Sequence, residues 1–293
     1  MFFDLMIYSM FSKIKYVLLG MTALMCVACA SKEYWDEKPL HNSGGNGESI
    51  VDKDEDVIRL VQYNVGAFRK SGGNSLVMIA EMMKELGADV ISLNEVDSCT
   101  TRTGKVNQLS HFTYEMGSWN HKFGKALELQ GGSYGVGVCY NPSCKALKSY
   151  AVSLPQADDA ETRAMAVVEF EKFIFASTHL GLTAGAQLAQ WNTIKNWFDA
   201  KYPSTDKPIF LCGDFNAVAS SELLTEIKKS WRLASTVGAS TFPSTNPKKC
   251  IDYIIVKSSS DVKIVKTSVA KEFSSGTVST ASDHLPVYVD IKF

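Results

Sequence analysis

From Val57 onward the chain is a succession of short β-type runs with few helical stretches between them, a pattern that confines it to architectures built from more than one sheet. Val57–Asn64 reads as a first strand. Leu76, Ile79, Met83 and Leu86 then form a helical stripe closed by Gly87, and a second strand follows at Val90–Leu93. Further β runs cover Gly135–Tyr140, Ala164–Phe170, Phe173–Thr178, Ile209–Leu211, Asp252–Val256, Val262–Val269 and Val287–Phe293. One longer helix is expected over Gly185–Ala200. This order predicts an α/β fold of two packed sheets flanked by helices. A length of 293 residues with 45% hydrophobic content supplies a sizeable core for it.

The amino terminus reads as a targeting segment rather than as part of that fold. Lys13 and Lys15 lead into an uncharged run from Tyr16 to Ala28, short for a membrane span and suited to the apolar centre of a signal peptide. The run ends in Cys26-Val27-Ala28-Cys29, which resembles the lipobox of bacterial lipoproteins, although Cys26 stands where that pattern prefers Leu. The expectation is a signal peptide over residues 1–28, export, and a membrane anchor through lipid on Cys29. An ordinary cleaved signal with a chance cysteine is the alternative. Residues 29–56 are polar, glycine-containing and acidic, and read as a flexible tether whose charge run, Asp52-Lys53-Asp54-Glu55-Asp56, is solvated. The folded domain then spans residues 57–293.

A formal net charge of -1 argues against a broadly basic nucleic-acid surface. No Gly-x-x-x-x-Gly-Lys or Gly-x-Gly-x-x-Gly pattern follows a strand, which sets nucleotide-fold readings aside. Beyond Cys29, the cysteines Cys99, Cys139, Cys144, Cys212 and Cys250 lack C-x-x-C or Cys/His zinc spacing and read as small buried hydrophobes. A Cys139–Cys144 bridge is conceivable without further support. Trp35, Trp119 and Tyr134 read as core aromatics rather than as base-stacking or lipid-contacting ones.

Polar residues recur at the ends of the strands. Asn64 closes the first, Asn94-Glu95 the second and Thr178-His179 a middle one. Asp214 and Asn216 follow another, Asp252 opens one, and Ser282-Asp283-His284 precedes the last. If convergent, they make an oxygen-rich site suited to a hard cation such as Mg²⁺ or Mn²⁺. Each alone has a plainer reading: a hydrogen-bonded histidine at His179, a surface ion pair at Glu95, turn chemistry at Asp252 and Asp214.

Taken together, Gln62-Tyr63-Asn64, Asn94-Glu95-Val96, Thr178-His179-Leu180, Gly213-Asp214-Phe215-Asn216, Ile251-Asp252-Tyr253-Ile254 and Ser282-Asp283-His284-Leu285-Pro286 resemble the endonuclease/exonuclease/phosphatase superfamily. The resemblance implies a four-layered α/β sandwich and hydrolysis of a phosphate ester with a divalent metal, Mg²⁺ or Mn²⁺. It implies Glu95 as the main metal ligand, with Asn64 beside it and Asp283 completing the cation site. Asp214 would orient or deprotonate the attacking water, and Asn216 would donate a hydrogen bond to the water or a phosphoryl oxygen. His284, oriented by Asp252, would bind phosphate or transfer a proton, and His179 would be a second phosphate ligand or acid. Arg163 matches an arginine common in the superfamily and could fork onto a phosphate, with a solvated strand residue as the alternative. Arg102 carries the same two readings.

Two departures bear on substrate. Asn94 replaces the Gln that usually precedes the metal-binding Glu, which shortens the reach of the amide. Asp97 stands where deoxyribonucleases of the pancreatic type carry an arginine, and a negative charge there would weaken binding to a duplex backbone. The leading expectation is a metal-dependent phosphoesterase acting outside the cytoplasm, with a phosphodiester the expected substrate. An extracellular nuclease that scavenges nucleic acid is the second reading, and a non-catalytic surface binding lipoprotein the third.

Overall fold

The computed structural model describes residues 53–70, 73–159, 161–236, 238–258 and 262–293. The expected signal peptide, Cys29, Trp35 and the tether through residue 52 lie outside the described residues. Chain order is β1 (Ile58–Asn64), α1 (Leu76–Glu85), β2 (Val90–Ser98), α2 (Gln108–Glu115), β3 (Asn120–Leu129), β4 (Gly132–Tyr140), β5 (Ala146–Leu154) and β6 (Arg163–Phe170). It continues with β7 (Ile174–His179), α3 (Ala184–Lys201), β8 (Ile209–Asp214), α4 (Glu222–Ile227), β9 (Arg232–Leu233), β10 (Asp252–Lys257), β11 (Lys263–Val269), α5 (Val278–Ala281) and β12 (Val287–Lys292). The strands form two six-stranded sheets, ordered β11-β12-β1-β2-β4-β3 and β5-β6-β7-β8-β10-β9. Each mixed sheet holds a parallel pair, β1 with β2 and β7 with β8, joined through α1 and α3 respectively.

Strand alternation sorts the apolar residues into separate layers. Val61, Tyr63, Ile91 and Leu93 point outward under Leu76, Ile79 and Met83 of α1 and Phe112 of α2. On the other outer face, Ala176, Leu211 and Ile255 pack under Trp191, Ile194 and Phe198 of α3 and Leu224 of α4. Leu60, Val90, Phe175, Phe210, Ile254 and Val289 fill the space between the sheets. Helix, sheet, sheet and helix give the four layers of an α/β sandwich, with a side-chain period of two deciding each residue's layer.

The inter-sheet layer changes character along its length, and this change places the site. Two residues beyond Leu60 on the same face lie Gln62 and then Asn64; beyond Val90 lie Ser92 and Asn94; beyond Phe175 lie Ser177 and His179. Beyond Phe210 lie Cys212 and Asp214, while antiparallel β10 runs back from Ile254 to Asp252. The register sets Asn64 beside Asn94, His179 beside Asp214, and Asp252 opposite Asp214. One end of the sandwich is therefore apolar and the other ends in carboxylates, amides and imidazoles.

Strands β3 and β5 fall outside the sequence expectation. Both sit at sheet edges, and their mixed sequences, NHKFGKALEL and ALKSYAVSL, leave all but one position of each at least partly exposed, so no sustained apolar alternation marks them. The charge run before β1 is not simply solvated: Lys53 pairs with Asp89 at 2.7 Å, and Asp54 and Asp56 pair with Lys292 at 2.9 and 2.8 Å. Lys53 also donates to Gly87 O at 2.8 Å, while Asp54 and Asp56 stay exposed to solvent beside Lys292. All five described cysteines are free, which removes the Cys139–Cys144 bridge; Cys139 is buried against the α1 side of its sheet. Tyr134 is buried and Trp119 packs on the core, as expected of core aromatics.

Candidate active site

The polar ends of β1, β2, β7, β8 and β10 form the floor of a cleft of about 730 Å³. Asp214 is its centre. Its Oδ1 accepts from Asn216 N at 2.9 Å, and its Oδ2 accepts from Asn64 Nδ2 at 3.1 Å. The same Oδ2 lies 3.6 Å from His284 Nε2 and 3.7 Å from His179 Nε2. Strand β8 brings Asp214 close to β7 because residue 213 is glycine: a Cβ there would lie 2.1 Å from Thr178 O.

His284 is held from behind. Its Nδ1 lies 2.9 Å from Asp252 Oδ2, which also accepts from Thr241 Oγ1 at 2.6 Å, while Asp252 Oδ1 receives Gln62 Nε2 at 3.3 Å. With Asp252 fixed at Nδ1, His284 turns Nε2 toward Asp214 and the cleft. Asn216 has a left-handed φ of 51° and donates from Nδ2 to Leu180 O and His179 Nε2, both at 3.0 Å.

Glu95 reaches the cleft through a β-bulge. Leu93 and Val96 both face the α1 side, although residues three apart in an unbroken strand face opposite ways. The pairing steps from Asn94↔Val136 to Val96↔Gly135, leaving Glu95 as the extra residue with φ 58°. The bulge swings its carboxylate away from the helices and toward Asn64 Nδ2, 3.1 Å away. Such a left-handed non-glycine residue costs about 1–3 kcal/mol, a strain that collects at functional sites. Asp283 joins the same rim of the cleft, its Oδ1 3.5 Å from Ser282 Oγ, which anchors the loop by donating to Asn64 O at 2.6 Å.

The sequence profile of the Endonuclease/Exonuclease/phosphatase family matches residues 61–284. The chain belongs to that family. Among solved structures it resembles the endonuclease/exonuclease/phosphatase from Bacteroides vulgatus, with TM-score 0.66, 18% identity, and 81% of this chain and 99% of that one covered. It also resembles a mannosyl-6-phosphatase from Bacteroides thetaiotaomicron (TM-score 0.64, 17% identity, 80% and 100% covered). The human Nocturnin catalytic domain with bound sulfate anion superposes with TM-score 0.63 at 19% identity, covering 83% and 96%. No curated protein sequence matches the chain. Members of the family hydrolyse phosphoesters, and this member is an enzyme of that kind.

Burial and neighbouring charge divide the family's titratable groups here into distinct states. Burial raises the Asp214 carboxyl, and the Asp252 charge opposite raises it further, to about 7. Burial disfavours the charged ring of His284, but the carboxylates of Asp252 and Asp214 outweigh it and push His284 up to about 10. His179 goes the other way, held well below its usual range by burial and then by the Arg163 charge. Burial raises Glu95, against a single lowering hydrogen bond from Asn64. Near neutral pH the cleft thus holds a carboxylate at its titration point, a cationic imidazole and a neutral imidazole. Asp214, Asp252 and His284 each offer a ligand atom within 4.8 Å of the others, a cluster able to hold a metal ion.

All the residues expected at the site lie in or directly behind the cleft. Glu95, Asp214, Asn216, His179, His284, Asp283, Arg163 and Arg102 line it, while Asn64 and Asp252 stand beneath. Arg163 is buried, not a solvated strand residue, with Nη1 3.3 Å from His179 Nδ1 and from Glu161 Oε2. Asp97 corrects a sequence inference. Its side chain is fully buried and accepts both Arg102 Nε and Nη2 at 2.7 Å, so it presents no negative charge to a ligand. Asn94 does not reach the cation side at all. Its Oδ1 accepts from Asp214 N at 2.8 Å and its Nδ2 donates to Thr178 O at 2.9 Å, stitching the two sheets together.

Sequence reasoning missed the supports. Ser92 Oγ donates to Gln62 Oε1 at 2.6 Å and bonds Ser177 Oγ at 2.7 Å, and Gln62 Nε2 donates to Asn94 Oδ1 at 2.6 Å. These residues sit two positions before Asn64, Asn94 and His179, so the strand period carried the signal. Thr241, Phe242 against the His284 ring at 4.8 Å, and Lys249 come from an irregular segment with no such period.

Proposed function

We propose that the protein is a divalent-metal-dependent phosphoesterase that hydrolyses a small phosphate ester by in-line attack of an activated water, outside the cytoplasm. The carrying observation is the convergence on one cleft floor of Asp214 at about 7, cationic His284 clamped by Asp252, and neutral His179 beside Asn216. A carboxylate titrating near working pH is suited to take a proton from water. A fixed imidazolium is suited to stabilise charge on a transferring phosphoryl group. His284 therefore acts as the phosphate-binding cation and Asp214 as the base, with Asn216 orienting water or a phosphoryl oxygen. His179 and Arg163 face the same oxygens.

For the cation we favour Glu95, Asp283 and the Asn64 amide over the cluster of Asp214, Asp252 and His284. In that cluster Asp252 already accepts from His284, Thr241 and Gln62, and it holds the Nδ1 of His284. Glu95 is a largely buried carboxylate with one side-chain donor, and with Asp283 it offers carboxylate oxygens that fit Mg²⁺ or Mn²⁺; Asn64 turns Nδ2 toward Glu95 and would join the ion through Oδ1, which accepts from Gly66 N at 3.1 Å. When bound, the ion would neutralise non-bridging oxygens and the leaving-group charge.

The cleft volume fits a small ligand. Its lining balances Arg102, Arg163, Lys249 and His284 against Glu95, Glu161, Asp214 and Asp283, leaving no net positive field to track a nucleic-acid backbone. A small phosphodiester or phosphomonoester is favoured over DNA or RNA on that ground. The mannosyl-6-phosphatase that the fold resembles is, by its name, an enzyme of a small ester. Export and anchoring through Cys29 rest on the amino-terminal sequence; no helix among the described residues is long and apolar enough to cross a membrane.

The test is hydrolysis of bis-p-nitrophenyl phosphate, p-nitrophenyl phosphate and plasmid DNA by the chain from Ser31 onward, with Mg²⁺, Mn²⁺ or EDTA. Metal-dependent turnover that disappears in Asp214→Ala is expected, and the preferred substrate separates diesterase, monoesterase and nuclease. Turnover of none of them by folded, metal-loaded protein refutes the reading.

A further inference from the structure

One wall of the cleft does not belong to the phosphate floor. It is built by Arg102, Glu161, Leu127 and Leu129, and its guanidinium is held in place. Arg102 forks onto Asp97, and that carboxylate is itself fixed by Thr100 Oγ1 at 2.6 Å, while Asp97 N donates to Gln108 Oε1 at 2.7 Å. Gln108 Nε2 in turn donates to Ala67 O at 2.7 Å. The guanidinium lies over the Tyr134 ring, 5.5 Å from its centroid. The side chain nevertheless stays 28% exposed on the cleft, and its remaining N–H groups meet no acceptor among the described residues. Glu161 is positioned by its neighbour Thr162, whose Oγ1 donates to Ala126 O at 2.7 Å, and its carboxylate is half exposed beside Arg163.

The chemistry of this wall is specific. Arg102 is cancelled by Asp97 and Arg163 by Glu161, so the wall has fixed donors and acceptors without net charge, set against leucine side chains. A second phosphate would call for uncompensated cations. A purely apolar group would leave the Arg102 donors and the Glu161 acceptor desolvated without partners. A compact group with hydroxyls along one edge and C–H faces on the other satisfies both. Resting on the phosphoesterase reading above, we infer that this wall receives an uncharged polyhydroxylated leaving group: the substrate is a sugar or polyol phosphate, and Arg102 is a specificity-determining residue. In hydrolysis the water oxygen bonds phosphorus as the bond from phosphorus to the sugar oxygen breaks. One water proton ends on the sugar oxygen, giving the free alcohol and inorganic phosphate.

The test compares kcat/KM, read as phosphate release with Mg²⁺ or Mn²⁺, for a hexose 6-phosphate, glycerol phosphate, hexyl phosphate and p-nitrophenyl phosphate. Hexose phosphate and hexyl phosphate have similar alkoxide leaving groups, so their ratio isolates the hydroxyl contacts. A site built around hydrogen bonds discriminates against an analogue that lacks them, and a preference of at least about tenfold for the hexose ester is expected. Arg102→Met keeps the packing on Tyr134 and should reduce that ratio about tenfold, chiefly through KM; because it leaves buried Asp97 without the partner that bonds both its oxygens, the thermal melt should fall, and the ratio is read well below that melt on protein whose circular dichroism matches the parent. Turnover of hexyl and p-nitrophenyl phosphates with no hexose preference overturns the inference while leaving the phosphoesterase reading intact. So does a hexose preference that Arg102→Met does not move. Failure on every ester, p-nitrophenyl phosphate included, refutes the phosphoesterase reading itself. Should Arg102→Met not fold, the hexose-to-hexyl ratio of the unaltered protein decides alone.

Discussion

Replacing Asp252 with asparagine tests what fixes the charge of His284. The carboxylate is fully buried, lies 2.9 Å from Nδ1, and together with Asp214 outweighs the burial that would otherwise neutralise the ring, leaving His284 at about 10. Charges about 4 Å apart at an effective dielectric of about 20 interact by about 4 kcal/mol. At about 1.4 kcal/mol per unit that is a shift of about three units, so His284 in Asp252→Asn should titrate near pH ~7. The asparagine nearly preserves volume and still accepts a hydrogen bond from Thr241 Oγ1. A folded-state value raised above the unfolded 6.5 means that proton binding stabilises the fold. That contribution is complete below 6.5 and lost as pH rises through about 10; in the variant it is gone above about 7. The assay is an NMR titration of ¹⁵N-histidine-labelled protein in EDTA, with urea unfolding on both sides of neutrality. The variant should lose more stability, relative to the parent, at mildly acidic and neutral pH than above about 10, where His284 is neutral in both. A His284 titration that stays near 10 in Asp252→Asn refutes the reasoning, because the Asp252 charge would then not be the cause.

The raised Asp214 carboxyl carries the opposite sign: from 3.8 to about 7, its ionisation destabilises the fold, so stability is greatest at low pH and falls between those values. Asp214→Asn should therefore be inactive yet more stable by a few kcal/mol (about 1.4 per unit) at mildly alkaline pH in EDTA, and urea unfolding that shows no gain removes the claim. Gly213→Ala places a methyl 2.1 Å from Thr178 O and should cost about 1–3 kcal/mol or more by forcing β7 and β8 apart, with activity falling alongside stability. Arg59→Met leaves Asp290 buried without the partner that bonds both its oxygens at 2.7 Å, and a loss of about 3–5 kcal/mol is expected in denaturant unfolding. A loss below about 1 kcal/mol would mean that water reaches Asp290.

How much of this was legible in the sequence depended on which physical signal each element carries. Central strands such as Val57–Asn64 and Phe173–Thr178 are covered on both faces, so their apolar runs announced them, and the helix stripe from Leu76 to Leu86 did the same. Edge strands β3 and β5 face solvent, and neither composition nor alternation separates them from loops. The site residues were legible because they cluster at strand ends in a motif order that resembles one superfamily. Their environments were not. Asp97 looked like a repulsive surface charge because its partner, Arg102, has its meaning only once the turn over residues 101–103 folds back onto the strand. Asn94 looked like a shortened cation-site amide, whereas its contact is with backbone on the other sheet.

The supports behind the floor show why such a site needs two sheets rather than one. Asp214 and Asp252 stand opposite each other on neighbouring strands, an arrangement of like charges that a lone sheet would not hold. Groups from the other sheet make it tenable: Asn64 on Asp214, Gln62 on Asp252, and His284 from the loop before β12 between the two carboxylates. Those same groups are set by the register of β1 against β2 and β12 and by the Ser92–Ser177 bond across the layer. Sliding either strand by one residue would exchange Gln62 and Asn64 for the apolar side chains of Val61 and Tyr63 and leave two facing carboxylates uncompensated. The apolar end of the inter-sheet layer, from Leu60 to Phe210, is what prevents that slip. Core packing and catalytic charge states are thus coupled through one layer, and substitutions at Ser92 or Ser177, far from any substrate, should be felt at Asp214.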